Sequence, residues 1–260
     1  MTRDIPGMTV DVNADNRGMR AVRLGQDDYK RALVGRYLES SGASRVLKPA
    51  ANPHVDLGRV DDESSGALSS SCRTHIGGGM FLARCTSPGL SYIFGILGRF
   101  ADFWNASCDK RSHRVMSIYR PGMSDGLLGT FYDGDHGLLA IESLADADLG
   151  GCTLTRRSTS GWCIYLVGPH GSRMLLAWGS KRQAAAMDST GVSEVTARNL
   201  MCKKDVLPIS SMIVSLYGRS VAVRVLDDSD TARSSLQGGI AGKLNATYKH
   251  PGVVLSLYRD

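Results

Sequence analysis

From Leu138 onward the apolar residues of this chain fall into short runs separated by turn-forming residues, and this texture constrains the fold more than any other feature. "LLAIESLAD" (138–146), "GWCIYLVG" (161–168) and "RMLLAWGS" (173–180) are each bounded by Gly, Ser, Asp or Pro. Runs of that length between turn clusters predict three strands of an antiparallel meander. "STGVSEVTARNLMCKKDVL" (189–207) predicts a helix capped by Ser189 or Thr190 and stopped by Pro208. "SVAVRVLDD" (220–228) alternates Val221, Val223 and Val225 and predicts a strand. "SDTARSSLQGG" (229–239) predicts a short helix closed by glycines. The expected order over 138–260 is therefore βββαβα.

The first half has a different period. "LGQDDYKRALVGRYLESSG" (24–42) spaces Tyr29, Leu33, Val34 and Tyr37 as an amphipathic helix that ends near Gly42. Residues 1–20 are polar and expected to be loose, and 43–70, rich in Pro, Ser, Asp and Gly, predict a linker. "RTHIGGGMFLARCTSPGLSYIFGILGRF" (73–100) predicts a helical hairpin broken at Pro88. Its Gly77–Gly79 triplet weakens the first helix by roughly 1 kcal/mol per glycine relative to alanine. A further helix is expected from Asp109 to Tyr119, before Pro121. The class is α+β or α/β: a loose segment at 1–20, a mainly helical region at 21–125, and a mixed sheet with packed helices over 138–260.

Composition excludes several function classes. At 42% hydrophobic and 22% charged, the 260 residues are globular in character. The six cysteines are widely separated, with no C-x-x-C and no Cys/His ligand spacing, so ordinary thiols are expected rather than a zinc site. No apolar leader opens the chain and no apolar run reaches about 18 residues, so an intracellular protein with no membrane partner, cytoplasmic or nuclear, is expected. A net charge of +6 suits a polyanionic partner but is common among proteins with none.

Three acids take similar places in the βββαβα order. Asp146 ends the first strand, Glu194 lies in the first turns of the helix, and Asp228 ends the fourth strand. Carboxylates are what hard divalent cations bind, and Mg²⁺ takes few of them beside phosphates and water. Two ions about 3.5–4 Å apart clamp both oxygens of a phosphodiester displacement. Each acid also has an ordinary alternative: Asp146 and Asp148 as turn residues, Glu194 as a helix-dipole partner, Asp228 as a helix cap. Arg156 and Arg157 in the turn, Lys181 and Arg182 after the third strand, and Lys203 and Lys204 on the helix are placed to track phosphates, or to form a solvated basic face. Trp162 and Trp178 are expected in the core rather than as stacking platforms for bases.

The order of these motifs resembles the ribonuclease H domain of copia-type LTR retrotransposon polyproteins. "LADADLGG" resembles the family's "SDAD-W-G" signature, "RRSTSGWCIYLVG" its "RKSTSG" turn, and "WGSKRQ" its "WSSKKQ" strand end. "STGVSEVTA" resembles the helix start "SSTEAE", and "LDDSDTA" the "DNQSA"-like third motif. Upstream, residues 73–100 resemble the segment joining reverse transcriptase to ribonuclease H, and "GQDDYKRALVGRYLESSGASRVLKP" the thumb helix before it. The resemblance spans residues 20–258 in serial order. It implies a ribonuclease H-like mixed sheet, two Mg²⁺ (or Mn²⁺) ions on Asp146, Glu194 and Asp228, and Asp148 as a secondary acid. It also implies an RNA–DNA hybrid or other nucleic acid as partner, with the remainder of a retroelement polyprotein. Pro88-Gly89 stands where the family has Pro-Asp, Val192 where an acid is common, and no Y-x-D-D polymerase motif occurs. The family's fourth acid lies on a segment beyond the point matching Asp260, so the isolated chain is expected to bind the ions weakly and to cleave little or no hybrid. The alternatives are a non-catalytic nucleic-acid-binding or structural remnant of a retroelement polyprotein, and an unrelated α/β protein whose acids are caps and turns.

Overall fold

A computed structural model describes residues 2–5, 7–16, 18–42, 64–119, 126–152 and 155–226. The chain divides into two compact units, the first of residues 1–15 and 20–129, the second of 16–19 and 130–260. The fold is mixed α+β, as the sequence predicts.

The first unit opens with strands where the sequence suggested a loose segment. β1 (Thr2–Ile5), β2 (Met8–Ala14) and β3 (Met19–Gly25) pair antiparallel in order. The alternation of Thr9, Val10, Asp11, Val12 and Asn13 is a half-buried strand pattern, and Gly7 (φ +76°) and Gly18 (φ +78°) supply the left-handed turn conformations that side chains avoid. Gln26 joins this sheet to the helices: its amide donates to the Gly7 carbonyl (3.1 Å) and its Oε1 accepts from the Thr86 hydroxyl (2.8 Å).

The predicted helices follow. α1 (Asp27–Ser41) ends at Gly42, and α2 (Cys72–Cys85) and α3 (Ser91–Arg99) flank a 3-10 turn at Pro88–Leu90. α4 (Ala106–Met116) starts at Asn105, whose side chain accepts from the Cys108 N–H at 3.0 Å. Leu33, Tyr37, Ile76, Leu82, Phe94, Leu97 and Val115 form their common core. The glycine triplet has a packing reason that propensity does not reveal. A Cβ on Gly78 would lie 2.6 Å from Leu33 and one on Gly79 2.0 Å from the Phe94 ring, so α1 and α3 approach α2 through these positions.

Five further strands, β4 (Gly126–Tyr132), which runs across the boundary into the second unit, then β5 (Ala140–Ala147), β6 (Arg157–Val167), β7 (Arg173–Ala186) and β8 (Val223–Leu226), lie in the order β4-β7-β6-β5-β8. β4, which sequence periodicity did not reveal, pairs with β7 through Thr130 and Arg173. β5, β6 and β7 form the expected antiparallel meander. α5 (Thr190–Met201) packs on β5 and β6, burying Ala197 and Met201 against Ile141, Ala145, Trp162 and Ile164. The expected stop at Pro208 is corrected. A π-helical turn at Cys202–Val206 leads into α6 (Leu207–Tyr217), where Pro208 sits in the first turn and needs no N–H partner. β8 then pairs parallel with β5. This is the ribonuclease H-like α+β arrangement expected from the motif order. The predicted helix at 229–239 and much of the predicted linker lie outside the described residues.

Candidate functional site

The pleat of β5 decides what its side chains can do. Ile141, Ser143, Ala145 and Ala147 point to the face covered by α5 and are buried. Glu142, Leu144 and Asp146 alternate onto the other face, and Leu144 and Asp146 are exposed. Asp146 therefore stands on the accessible face one residue before the strand ends. Its Oδ1 accepts from the Ala147 N–H at 2.7 Å, leaving Oδ2 without a hydrogen bond among the described residues.

Glu194 is carried by α5, which Ser189 caps by accepting from the Val192 N–H at 3.4 Å. The helix is anchored beneath the sheet by Gln183, whose amide donates to the Ser160 hydroxyl (3.0 Å) and to the Ser193 carbonyl (2.9 Å). Glu194 is nearly buried, and its Oε2 lies 3.8 Å from Nη2 of Arg198 one turn on. Arg198 is fully buried, and Glu194 Oε2 accepts no hydrogen bond among the described residues. The structure thus packs the helix bearing Glu194 on the face of β5 opposite the one that carries Asp146, and does not bring the two carboxylates onto one face. Asp228 lies outside the described residues, two positions after Leu226. Among the described residues, no three or more His, Cys, Asp or Glu side chains group closely enough to hold a metal ion.

Asp148 has a structural task. Its Oδ1 accepts the Thr159 N–H, and its own N–H donates to the Thr159 carbonyl, closing the mouth of the β5–β6 hairpin. The basic residues gather at that same end of the sheet. Asp146 pairs with Gly161 and Gly161 with Ser180, so Lys181, opposite Ser160, and Arg182, opposite Thr159, follow directly on β7. By pleat parity Arg182 shares the face of Asp146, two strands and hence about 10 Å across the sheet. Arg157 begins β6 opposite Ala186, and Arg156 occupies the turn before it at φ +53°.

Trp162 is a core residue, as expected. It is buried, donates Nε1–H to Asp205 Oδ2 (2.6 Å) and lies under Lys204 Nζ, 4.8 Å from the ring centre. The π-helical turn is what aims Lys204 and Asp205 at this indole. Trp178, opposite Cys163, is only half-buried.

Two features had no clear sequence signal beyond turn residues. Asp135, 1% exposed, accepts from His170 N (2.8 Å), His170 Nδ1 (2.7 Å) and Ser172 N (2.9 Å). Burial alone would raise its pKa, but hydrogen bonds from Ser172 and His170 hold the carboxyl well below the usual range. Gly168 makes room for it, because a Cβ there would meet Asp135 Cγ at 2.3 Å. The second feature is a charged row on the Asp146 face, Arg224–Glu142–Tyr165.

The chain also has a relative against which this geometry can be set. No protein-family model matches it. Over 177 residues, 67% of the chain and 67% of the relative, it is 30% identical to the uncharacterized mitochondrial protein AtMg00810 of Arabidopsis thaliana. The chain belongs to that protein's family. None of the helices among the described residues is long and apolar enough to cross a membrane.

Proposed function

We propose that the chain is a retroelement-derived ribonuclease H-like domain that acts on the RNA strand of RNA–DNA hybrids with divalent cations, through Asp146, Glu194 and Asp228. The observation that carries this reading is the exposed carboxylate of Asp146 at the accessible end of β5, the strand on whose other face α5 packs with Glu194. β8 adds to it. Val223 to Leu226 run parallel to β5 in the register Ile141–Val223 through Leu144–Leu226. The strand that precedes Asp228 in sequence is thus the neighbour of the strand that bears Asp146.

The donor chemistry fits Mg²⁺ or Mn²⁺. Asp146 has an uncommitted carboxylate oxygen in solvent, and Glu194 Oε2 is a nearly buried oxygen without a hydrogen bond among the described residues. When bound, such ions supply the Lewis-acid charge for phosphodiester displacement. The protein's own contribution is to hold the carboxylates on rigid elements and to orient the hybrid. Arg182, two residues beyond the Asp146–Gly161–Ser180 row and on the same face, is placed to neutralise a backbone phosphate without reading sequence.

The test is Mn²⁺ binding by calorimetry and hybrid binding by fluorescence anisotropy with the whole chain. Asp146→Asn should weaken Mn²⁺ binding at least about tenfold, since a lost ligand charge is not replaced. Arg182→Ala should lower the slope of log affinity against log salt by about one. Mn²⁺ binding indifferent to Asp146→Asn would refute the assignment of the acids.

The Glu194–Arg198 pair favours a second reading, a non-catalytic hybrid-binding remnant, because a buried guanidinium competes with a cation for the same carboxylate. Cleavage of a hybrid in Mn²⁺ distinguishes the two. Turnover abolished by Asp146→Asn supports the nuclease, whereas salt-sensitive binding without turnover supports the remnant.

A further inference from the structure

An open cleft of about 440 Å³, lined among others by Glu142, Arg173 and Arg224, lies at the other end of the β5 face that carries Asp146. Glu142 and Asp146 lie on the same strand face four positions apart, about 13 Å along β5. We propose that this cleft binds a phosphate monoester of a small molecule with an apolar or aromatic body, independently of the hybrid reading.

The register builds the site. Glu142 pairs with Arg224 of β8 on one side and with Tyr165 of β6 on the other. Arg173, from the start of β7, lays its guanidinium over the Tyr165 ring at 4.0 Å. Both arginines therefore flank Glu142, and each uses a single nitrogen on it: Arg224 Nη1 to Oε1 at 3.4 Å and Arg173 Nη1 to Oε2 at 3.8 Å. Their remaining N–H donors have no partner among the described residues. A guanidinium presents five donors in a planar fork that matches phosphate oxygens, and stacking on tyrosine holds one of the two forks in place.

Charge and shape select the ligand class. Arg219 lies against Gly137, beside Leu138 of the cleft, with its Nη2 3.3 Å from where a Cβ on Gly137 would sit. Two arginines and one glutamate line the cleft and leave one positive charge, the sign that a phosphate monoester complements. Leu138, Val167 and Pro169 give the cleft an apolar wall for the rest of the ligand, and its volume is within the range of about 300–1,000 Å³ of small-molecule sites. The nearest buried acid, Asp135, is already saturated by His170 and Ser172 and does not line the cleft.

The experiment titrates the full chain by calorimetry with adenosine 5′-monophosphate and, separately, with adenosine. The nucleotide should bind at least about tenfold more tightly, as expected for charge-assisted hydrogen bonds. Arg224→Gln, on an exposed edge strand, should weaken the nucleotide about tenfold, leave adenosine unchanged and leave hybrid binding intact. Glu142→Gln should tighten the nucleotide severalfold, because a carboxylate that competes for both guanidinium groups is removed. The last sign separates a ligand site from a structural ion cluster. Equal affinity for nucleotide and nucleoside, indifference to Arg224→Gln, or weakening by Glu142→Gln would each overturn the proposal.

Discussion

Adjacent glycines in α2 should respond to the same substitution with opposite sign. A glycine inside a helix costs about 1 kcal/mol relative to alanine. Gly77 is exposed and a Cβ there would meet no atom within 4 Å, so Gly77→Ala should gain close to that full amount. Gly79 is buried, and its Cβ would stand 2.0 Å from Phe94 Cζ, on a ring that is itself 1% exposed. Carbon atoms in contact sit about 3.5–4.0 Å apart, so the ring must give way by roughly 1.5 Å. Interiors are packed as densely as organic crystals and have no room for this. Overpacking typically costs about 1–3 kcal/mol, and a displacement this large belongs at the upper end. After subtracting the propensity gain, Gly79→Ala should lose about 2 kcal/mol net. Gly78→Ala, facing the rotatable end of Leu33 at 2.6 Å, should fall between them. Urea unfolding followed by circular dichroism measures all three, with the midpoint moving at constant slope if only stability changes. If Gly77→Ala and Gly79→Ala shifted the midpoint in the same direction, the packing account of this triplet would be wrong.

Other perturbations test separate parts of the fold. Trp162→Phe removes the donor to Asp205, and should cost about 1.5–3 kcal/mol in urea unfolding, as for hydrogen bonds to charged groups; a loss below half a kilocalorie would mean water replaces the indole freely. His75 is fully buried against Tyr37, and burial, with the nearby Arg36 charge, lowers its pKa. The unfolded chain then binds the proton first, so stability should fall as pH drops below about 6.5 and approaches the lower folded value. That slope should flatten in His75→Phe, and an unchanged slope would assign it to other groups. Asp135→Ala removes the acceptor of the His170 and Ser172 N–H groups, and hydrogen exchange at those two amides should accelerate well beyond that of the β6–β7 ladder; equal acceleration throughout would indicate global destabilisation instead.

Local sequence was sufficient for whatever depends on period and punctuation. The short apolar runs after Leu138 became β5, β6 and β7, and the helical spacing of Tyr29, Leu33 and Tyr37 became α1, closed at Gly42. The strand-end position of Asp146 was equally legible, because alternation along one strand fixes which side chains share a face. The helix bearing Glu194 could be read from its serine cap. Tertiary structure alone decided how those pieces meet. The parallel pairing of β8 with β5 joins residues 82 positions apart, from Ile141–Val223 to Leu144–Leu226, and no local pattern encodes such a partner. The continuation of the helix past Pro208 depends on a π-helical turn and on Trp162 being there for Lys204 and Asp205 to meet. The three strands before Gln26 were hidden by short polar hairpins whose alternation is confined to a few residues. The glycine triplet shows the same division most directly: propensity counted three equal weaknesses, and packing turned Gly78 and Gly79 into contact points while leaving Gly77 in open space. Short-range conformational preference is written along the chain, whereas contact between distant segments is set by which surfaces exclude water and atoms together.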